Sequence, residues 1–366
     1  MKLTEIKNTK HNIISESARV GREYNHLEDL VFIEGSRGVT RALKILENLQ
    51  AQTETVAVKW DGNPTIYWGR DQQGTFVLTG KNGWGRDKTC SPASLREFVM
   101  STGKGEEWRV DFADTLAEAF EILEQNTPKD FRGYVYGDIL WHSRNSQTVT
   151  ESHAEFTPNK VTYIVEDETV RNRIEKSKIG IAVHKVFENF GDKQGATLTE
   201  AESLNTDNVV VFAQTTVSES IDLNQDLLER INTWNANYGK AVDEFLEKRK
   251  GLSDLKNIIY TYVNQTVKEN RLDILTTGFY KWLSNSKVSQ PKQKRIQELD
   301  DLYGDLIETV LEGVELVMTA KNSVIEQFDN KSNNIKCLTE GEAGGEGYVA
   351  VDSFVKLVPR HRWKPN

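Results

Sequence analysis

From about Asn25 to Gln50 the apolar positions Leu27, Leu30, Val31, Val39, Leu43, Leu46 and Leu49 recur at helical spacing, and Gly35-Ser36-Arg37-Gly38 interrupts them. Two helices packing on the next part of the chain are expected. From Thr55 to about Phe187 the pattern changes to short β-rich runs at Val56 to Trp60, Thr65 to Trp68, Thr75 to Thr79, Tyr134 to Trp141, Val161 to Val165 and Ile179 to Phe187. One helix near Ala113 to Glu124 breaks that series. A further strand-like run, Asn208 to Phe212, precedes long amphipathic stripes. Leu227, Leu228, Ile231, Trp234, Tyr238, Val242, Phe245 and Leu246 form one stripe. The other runs through Ile296, Leu299, Leu302, Leu306, Val310, Leu311, Val314 and Val317, after Pro291 in the linker-like segment 286–294. Stripes of this width face a core. The chain then returns to strands, Tyr348 to Val351 and Ser353 to Val358, after the turn Gly344-Gly345-Glu346-Gly347.

Helices and strands in separate stretches predict an α+β protein. Its expected organisation is 1–189 for the N-terminal helices and the first part of a β-rich domain, 190–336 for a mainly helical insertion, and 337–366 for strands completing the first domain. No internal repeat is visible. With 366 residues and 37% hydrophobic content the chain can bury one large core or two modest ones.

The formal net charge of −9 argues against a protein that coats nucleic acid by positive excess, but it leaves room for a local basic groove. Lys356, Arg360, His361, Arg362 and Lys364 form such a cluster, which can equally be a solvated tail. Cys90 and Cys337 lie far apart, so neither a zinc site nor a disulfide framework is expected. The N-terminus has no apolar signal core and no run is long enough to span a bilayer, which points to a cytoplasmic protein without membrane contact. His142, His153 and His184 are irregularly spaced and read as structural histidines. Gly35-Ser36-Arg37-Gly38 lacks the ending of a phosphate loop and reads as a turn.

Candidate chemistry begins at Lys59-Trp60-Asp61-Gly62, where a strand ends in an Asp-Gly turn and the lysine amine projects from a rigid element. Burial or neighbouring cations favour the free amine, a nucleophile suited to a phosphorus centre. Further clusters succeed it in order. Thr79-Gly80-Lys81-Asn82-Gly83 ends a strand in a glycine turn carrying a cation, and Tyr136-Gly137-Asp138-Ile139-Leu140 places a carboxylate between apolar strand residues. Glu346-Gly347-Tyr348-Val349 starts a strand with a second carboxylate, and Phe354-Val355-Lys356-Leu357-Val358 puts a lysine on the next. Two acids and several lysines are the parts needed to hold Mg²⁺ and a polyphosphate.

This set resembles the covalent nucleotidyltransferase superfamily of ATP-dependent DNA ligases, RNA ligases and mRNA capping enzymes. The resemblance covers the β-rich parts and not the helical block. It implies a ligase-type adenylation domain of antiparallel sheets carrying a large helical insertion. In that family the K-x-D-G lysine forms a phosphoramidate with AMP or GMP, which gives Lys59 the role of nucleophile and places Asp61 and Gly62 at the nucleotide. Lys81 stands where the family more often has Arg, and Asp138 where it more often has Glu, implying contacts to ribose or metal. Phe187 is the candidate for stacking on the purine. Glu346 is implied as a metal-site carboxylate, beside Asp138. The family's last motif often reads K-x-K, whereas here Lys356 is followed by Leu357 and Val358, leaving Lys356 to meet the α-phosphate, aided by Arg360. His26-Leu27-Glu28-Asp29-Leu30 resembles uncharacterised ligase-like proteins of tailed phages, which would place the chain in a host cytoplasm.

The resemblance therefore implies ATP with Mg²⁺ or Mn²⁺ as cofactors and nicked or broken DNA or RNA as partner. Eight residues come after Val358, so no C-terminal OB-fold is expected. The helical block is then a candidate to close over nucleic acid, with the expectation that its removal spares self-adenylylation and abolishes end joining. Two alternatives stand beside the ligase: a capping-type guanylyltransferase, and a catalytically silent nucleic-acid-binding module with the same fold.

Overall fold

A computed structural model of the chain describes residues 24–101, 107–196, 202–247, 252–331 and 335–362; Lys364 of the basic cluster lies outside them. Strand β1 (Asn25–His26) leads through a 3-10 turn (Leu27–Asp29) into α1 (Leu30–Glu34) and α2 (Ser36–Gln50). The break between the helices is Gly35, whose φ of 66° suits a residue without Cβ. Asp243 accepts hydrogen bonds from Ser36 N at 2.7 Å and Ser36 Oγ at 2.6 Å, so the first turn of α2 is capped by a side chain from a distant element. Next come β2 (Val56–Val58), β3 (Thr65–Arg70), β4 (Phe76–Gly80), α3 (Pro92–Ser101), α4 (Glu107–Asn126), β5 (Gly133–Trp141), β6 (Thr148–Val149), β7 (Ala154–Phe156), β8 (Val161–Val165), α5 (Glu168–Lys176), β9 (Ile179–Phe187) and β10 (Val209–Phe212). The remainder is β11 (Thr216–Val217), α6 (Gln225–Glu247), α7 (Leu255–Lys268), α8 (Phe279–Asn285), α9 (Gln290–Tyr303), α10 (Leu306–Lys331), β12 (Ile335–Thr339), β13 (Glu342–Ala343), β14 (Tyr348–Ala350) and β15 (Val355–Leu357).

The fold is a mixed α+β arrangement that divides into two compact units. One holds the described residues of 60–215 and 333–345; the other holds those of 16–59, 216–332 and 346–366. The chain passes from one to the other between Lys59 and Trp60, inside the K-W-D-G motif. Among the described residues no helix is long and apolar enough to cross a membrane.

In the first unit a five-stranded sheet ordered β10-β9-β5-β3-β4 packs one face on α3 and α4, through Ile66, Trp68, Leu78, Val135, Ile139 and Ile181 against Leu116 and Phe120. A second sheet, β13-β12-β8-β7-β6, meets it through aromatic rings. Trp60 is anchored there, its ring centroid 4.8 Å from Tyr163 and 4.7 Å from Phe212. Large rings buried at such spacing contribute both area and edge-face attraction, so Trp60 fixes the chain immediately after Lys59.

In the second unit the sheet β1-β15-β14-β2-β11 lays Val56, Tyr348, Ala350, Val355 and Leu357 into the same apolar core as α1, α2, α6, α7 and α10. The helices of the expected insertion and the strands of the expected catalytic domain thus share one core.

Several local expectations shift. The second stripe is two helices rather than one, because Gly304 adopts a left-handed conformation (φ 77°) that ends α9, and Leu302 is left 77% exposed. The strand expected from Ser353 to Val358 shortens to Val355–Leu357, with Phe354 at φ 53° in the turn before it. Two helices, α3 and α5, lie within the stretch that the pattern predicts as β-rich.

Candidate active site

The second unit carries Lys59, Glu346 and Lys356 on one sheet. Val58 pairs antiparallel with Tyr348, and Lys59 extends that ladder by donating its backbone N–H to Gly347 O at 2.9 Å. The amine of Lys59 forms an ion pair with the Glu346 carboxylate, both side chains being partly shielded from water. Gly347 lets the start of β14 lie close against the chain that leaves β15. Its φ is 112°, and a Cβ there would stand 3.0 Å from Val358 Cα and 3.1 Å from Pro359.

The position of Lys356 is set by register. Ala57 lies opposite Val349, and Val349 opposite Lys356, so Lys356 and Lys59, two residues beyond Ala57, emerge on the same face. The opposite face, with Val56, Tyr348 and Val355, is the one committed to the core. Val358, where the expected K-x-K pattern would put its second lysine, is buried. Arg360 does not accompany Lys356: it is 2% exposed and engaged with Asp29 and Glu28. Arg362 pairs with Asp329 at 2.7 Å, so these arginines of the basic cluster are bound inward rather than presented as a groove or a solvated tail.

The first unit carries the other candidates. Asp61 receives Asn159 Nδ2 on its carboxylate, and its backbone N–H donates to Tyr163 Oη at 2.8 Å. A Cβ on Gly62 would meet Ile139 O at 2.5 Å and Asp138 Cβ at 2.9 Å, so only glycine lets the motif's turn lie against Asp138. Asp138 is buried on β5, opposite Thr65 of β3. Thr65 Oγ1 donates to Oδ1 at 2.6 Å, and His184 Nε2 bonds Oδ2 at 2.9 Å. His184 owes that position to a bulge: Tyr136 pairs with Lys185 and Gly137 with Val183, leaving His184 as the extra residue. Nothing in the local pattern signals the bulge, and irregular spacing alone makes this partner of Asp138 look like a merely structural histidine.

Lys81 is exposed in the turn following β4. Phe187 is buried beneath an aromatic layer in which Tyr67 stacks on Trp84 (4.2 Å, 13°) and on Tyr136 (4.7 Å, 27°), with Phe187 5.1 Å from Trp84. Tyr67, Trp84 and Tyr136 are only half-buried and so offer more ring surface than Phe187. Burial, reinforced by the charge of Asp138, pushes the Tyr67 phenol above its ordinary value and keeps it neutral.

Among the described residues no group of three or more His, Cys, Asp or Glu side chains gathers as a metal site. A hard cation that keeps its waters can be held by only one or two carboxylate donors. Glu346 is such a donor in the second unit and Asp138 in the first.

Residues 23–364 match a family of unknown function (DUF6267). The chain belongs to this family. No curated protein and no solved structure matches it. The family's description carries no activity.

Proposed function

We propose that the chain is an ATP-dependent covalent nucleotidyltransferase of the polynucleotide ligase type, with Lys59 as the residue that carries AMP. The observation that supports this reading best is the pairing of Lys59 with Glu346. Two motifs from opposite ends of the chain, K-W-D-G and E-G-Y-V, lie on neighbouring strands with the amine and the carboxylate in contact. A surface lysine in an ordinary hairpin has no need of such a partner.

In this reading the lone pair of Lys59 Nζ attacks the α-phosphorus of ATP, a P–N bond forms, the bond to the bridging oxygen breaks and pyrophosphate leaves. The ammonium proton must go first, and Glu346, already in contact, is placed to hold it. Lys356, on the same face of the sheet, offsets charge that develops on the transferred phosphoryl group. A bound Mg²⁺, for which Glu346 is the candidate carboxylate on the Lys59 sheet, would supply further charge neutralisation to the phosphates. In the other unit Asp138, held by Thr65 and His184, is the candidate acceptor for a ribose hydroxyl, and the Tyr67, Trp84 and Tyr136 rings are candidates to stack on a base. A 5′-phosphate oxygen of nicked DNA or RNA would then attack the phosphorus of the AMP on Lys59, breaking the P–N bond and freeing Lys59, and the 3′-hydroxyl would attack the activated 5′-phosphate and expel AMP to seal the nick.

The test is intact mass and label transfer after incubation with ATP, GTP or NAD and a divalent cation. Adduct from ATP alone, absent in Lys59→Ala, is the expected result, followed by sealing of a nicked duplex. Adduct from GTP alone would mark a guanylyltransferase. No adduct from any of the three sinks the enzymatic reading and leaves a binding module, an outcome for which the buried valine at position 358 is the motivating observation.

A further inference from the structure

The segment His26-Leu27-Glu28-Asp29-Leu30 takes no part in the proposed chemistry, and neither does the buried Arg360. The two meet. Lys321 Nζ donates to Glu28 Oε1 at 2.7 Å and to Val358 O at 2.8 Å. Arg360 reaches Asp29 Oδ2 at 2.5 Å through Nη2, lies 3.3 Å from Glu28 Oε1 through Nε, and sits 5.5 Å above the Tyr260 ring. Glu28 and Lys321 are fully buried and Asp29 and Arg360 almost so. Burial pushes the Glu28 carboxyl up, but the combined pull of Lys321 and Arg360 takes it below its ordinary value; at Asp29 burial prevails and raises the carboxyl, at Lys321 burial prevails and lowers the ammonium, and Arg360, against burial, is raised by its two carboxylates.

Taking four charges out of water is costly, and apolar side chains of similar volume would stabilise the core at least as well. What an ionic quartet adds is geometry, because a guanidinium fork and a buried ammonium donate to their partners in a restricted arrangement. The element next to it needs that constraint. β15 has three residues, its antiparallel neighbour β14 also three and its parallel neighbour β1 two, with His26 and Val349 on either side of Lys356. Strands so short fix their register poorly. A slip of one residue would turn Lys356 from the Lys59 face into the core. Glu28 and Asp29 come soon after His26 along the chain, as Val358 and Arg360 do after Lys356, so the quartet clamps the two strand ends in the observed register.

We infer that Glu28, Asp29, Lys321 and Arg360 form a register lock that presents Lys356 on the face shared with Lys59, with Arg360 as its main positioning residue. Its kinetic readout rests on the proposed adenylylation; its structural readout does not.

The experiment compares the full-length wild type with Arg360→Lys and with the charge-neutral pair Asp29→Asn plus Arg360→Met. Single-turnover adduct formation and backbone hydrogen exchange across residues 355–358 are measured, with circular dichroism to confirm folding. Folded variants are expected to form adduct about 100-fold more slowly at saturating ATP, with little change in the ATP concentration for half-maximal rate. Exchange across 355–358 is expected to quicken in the same proteins. Wild-type adduct rates, or slowed rates without faster exchange, overturn the lock. If the paired variant does not fold, Arg360→Lys decides. A wild type that takes no label defeats the adenylylation reading instead, and unchanged exchange in Arg360→Lys then overturns the lock by itself.

Discussion

His142 closes the end of β5 through a backbone bridge with Asn145 and receives the Arg144 N–H on Nδ1, a role that requires an unprotonated ring nitrogen. Burial holds its imidazolium below the ordinary value of 6.5, with Glu118 opposing and Arg144 assisting. A group depressed in the folded state contributes stability that is complete above its unfolded value and is lost as pH falls through the folded one. Thermal midpoints should therefore decline from about pH 6.5 downward, and His142→Gln should flatten that decline while leaving the midpoint at pH 8 in place. An unaltered slope in the variant would assign the acid sensitivity elsewhere. Legibility also differs residue by residue. Lys59 and Glu346 could be read because each sits in a short motif whose neighbours are informative. Arg360 could not: in sequence it belongs to a basic string, and only acids from the far end of the chain turn it inward.

Periodicity carried the elements with a wide apolar face. The expected two helices before Gln50 and the stripe from Leu227 to Leu246 correspond to α1, α2 and α6. α5 escaped because Ile174 is its one buried residue, too little for a stripe, and its capping by Asp167, which accepts from Val170 N, is a local signal easily passed over. Close approach of helices is equally hidden in sequence. In α10, Gly313 lies under the Trp234 indole, where a Cβ would come within 2.6 Å of a ring carbon, while Trp234 Nε1 donates to Thr309 O at 3.1 Å. Gly313→Ala gains helix propensity yet overpacks this contact, and a net loss of about 1–3 kcal/mol is expected in urea denaturation. A stabilised variant would show that α6 and α10 can part without cost.

At the scale of the molecule, the two units have separate cores, and the helical block belongs to the core beneath the Lys59 strand. The expectation that removing the block spares self-adenylylation is therefore reversed by packing. Deleting residues 225–331 strips α6 to α10 from Val56, Tyr348, Val355 and Leu357, so the truncated chain should expose that sheet face, bind a hydrophobic dye and form no adduct. Adduct at the full-length rate would mean that the sheet stands without its helices. The sheet order could not be read beforehand, since no local pattern tells which strand lies beside which.

That order, β1-β15-β14-β2-β11, has a temporal meaning. The strands that fill the middle are the last to be synthesised, so during translation β1 and β2 wait with a gap between them. Pairings this remote in sequence form slowly and late. Until the segment 346–350 has cleared the ribosome, Lys59 lacks the carboxylate of Glu346 beside it, so a nascent chain halted short of that point should take no label from ATP.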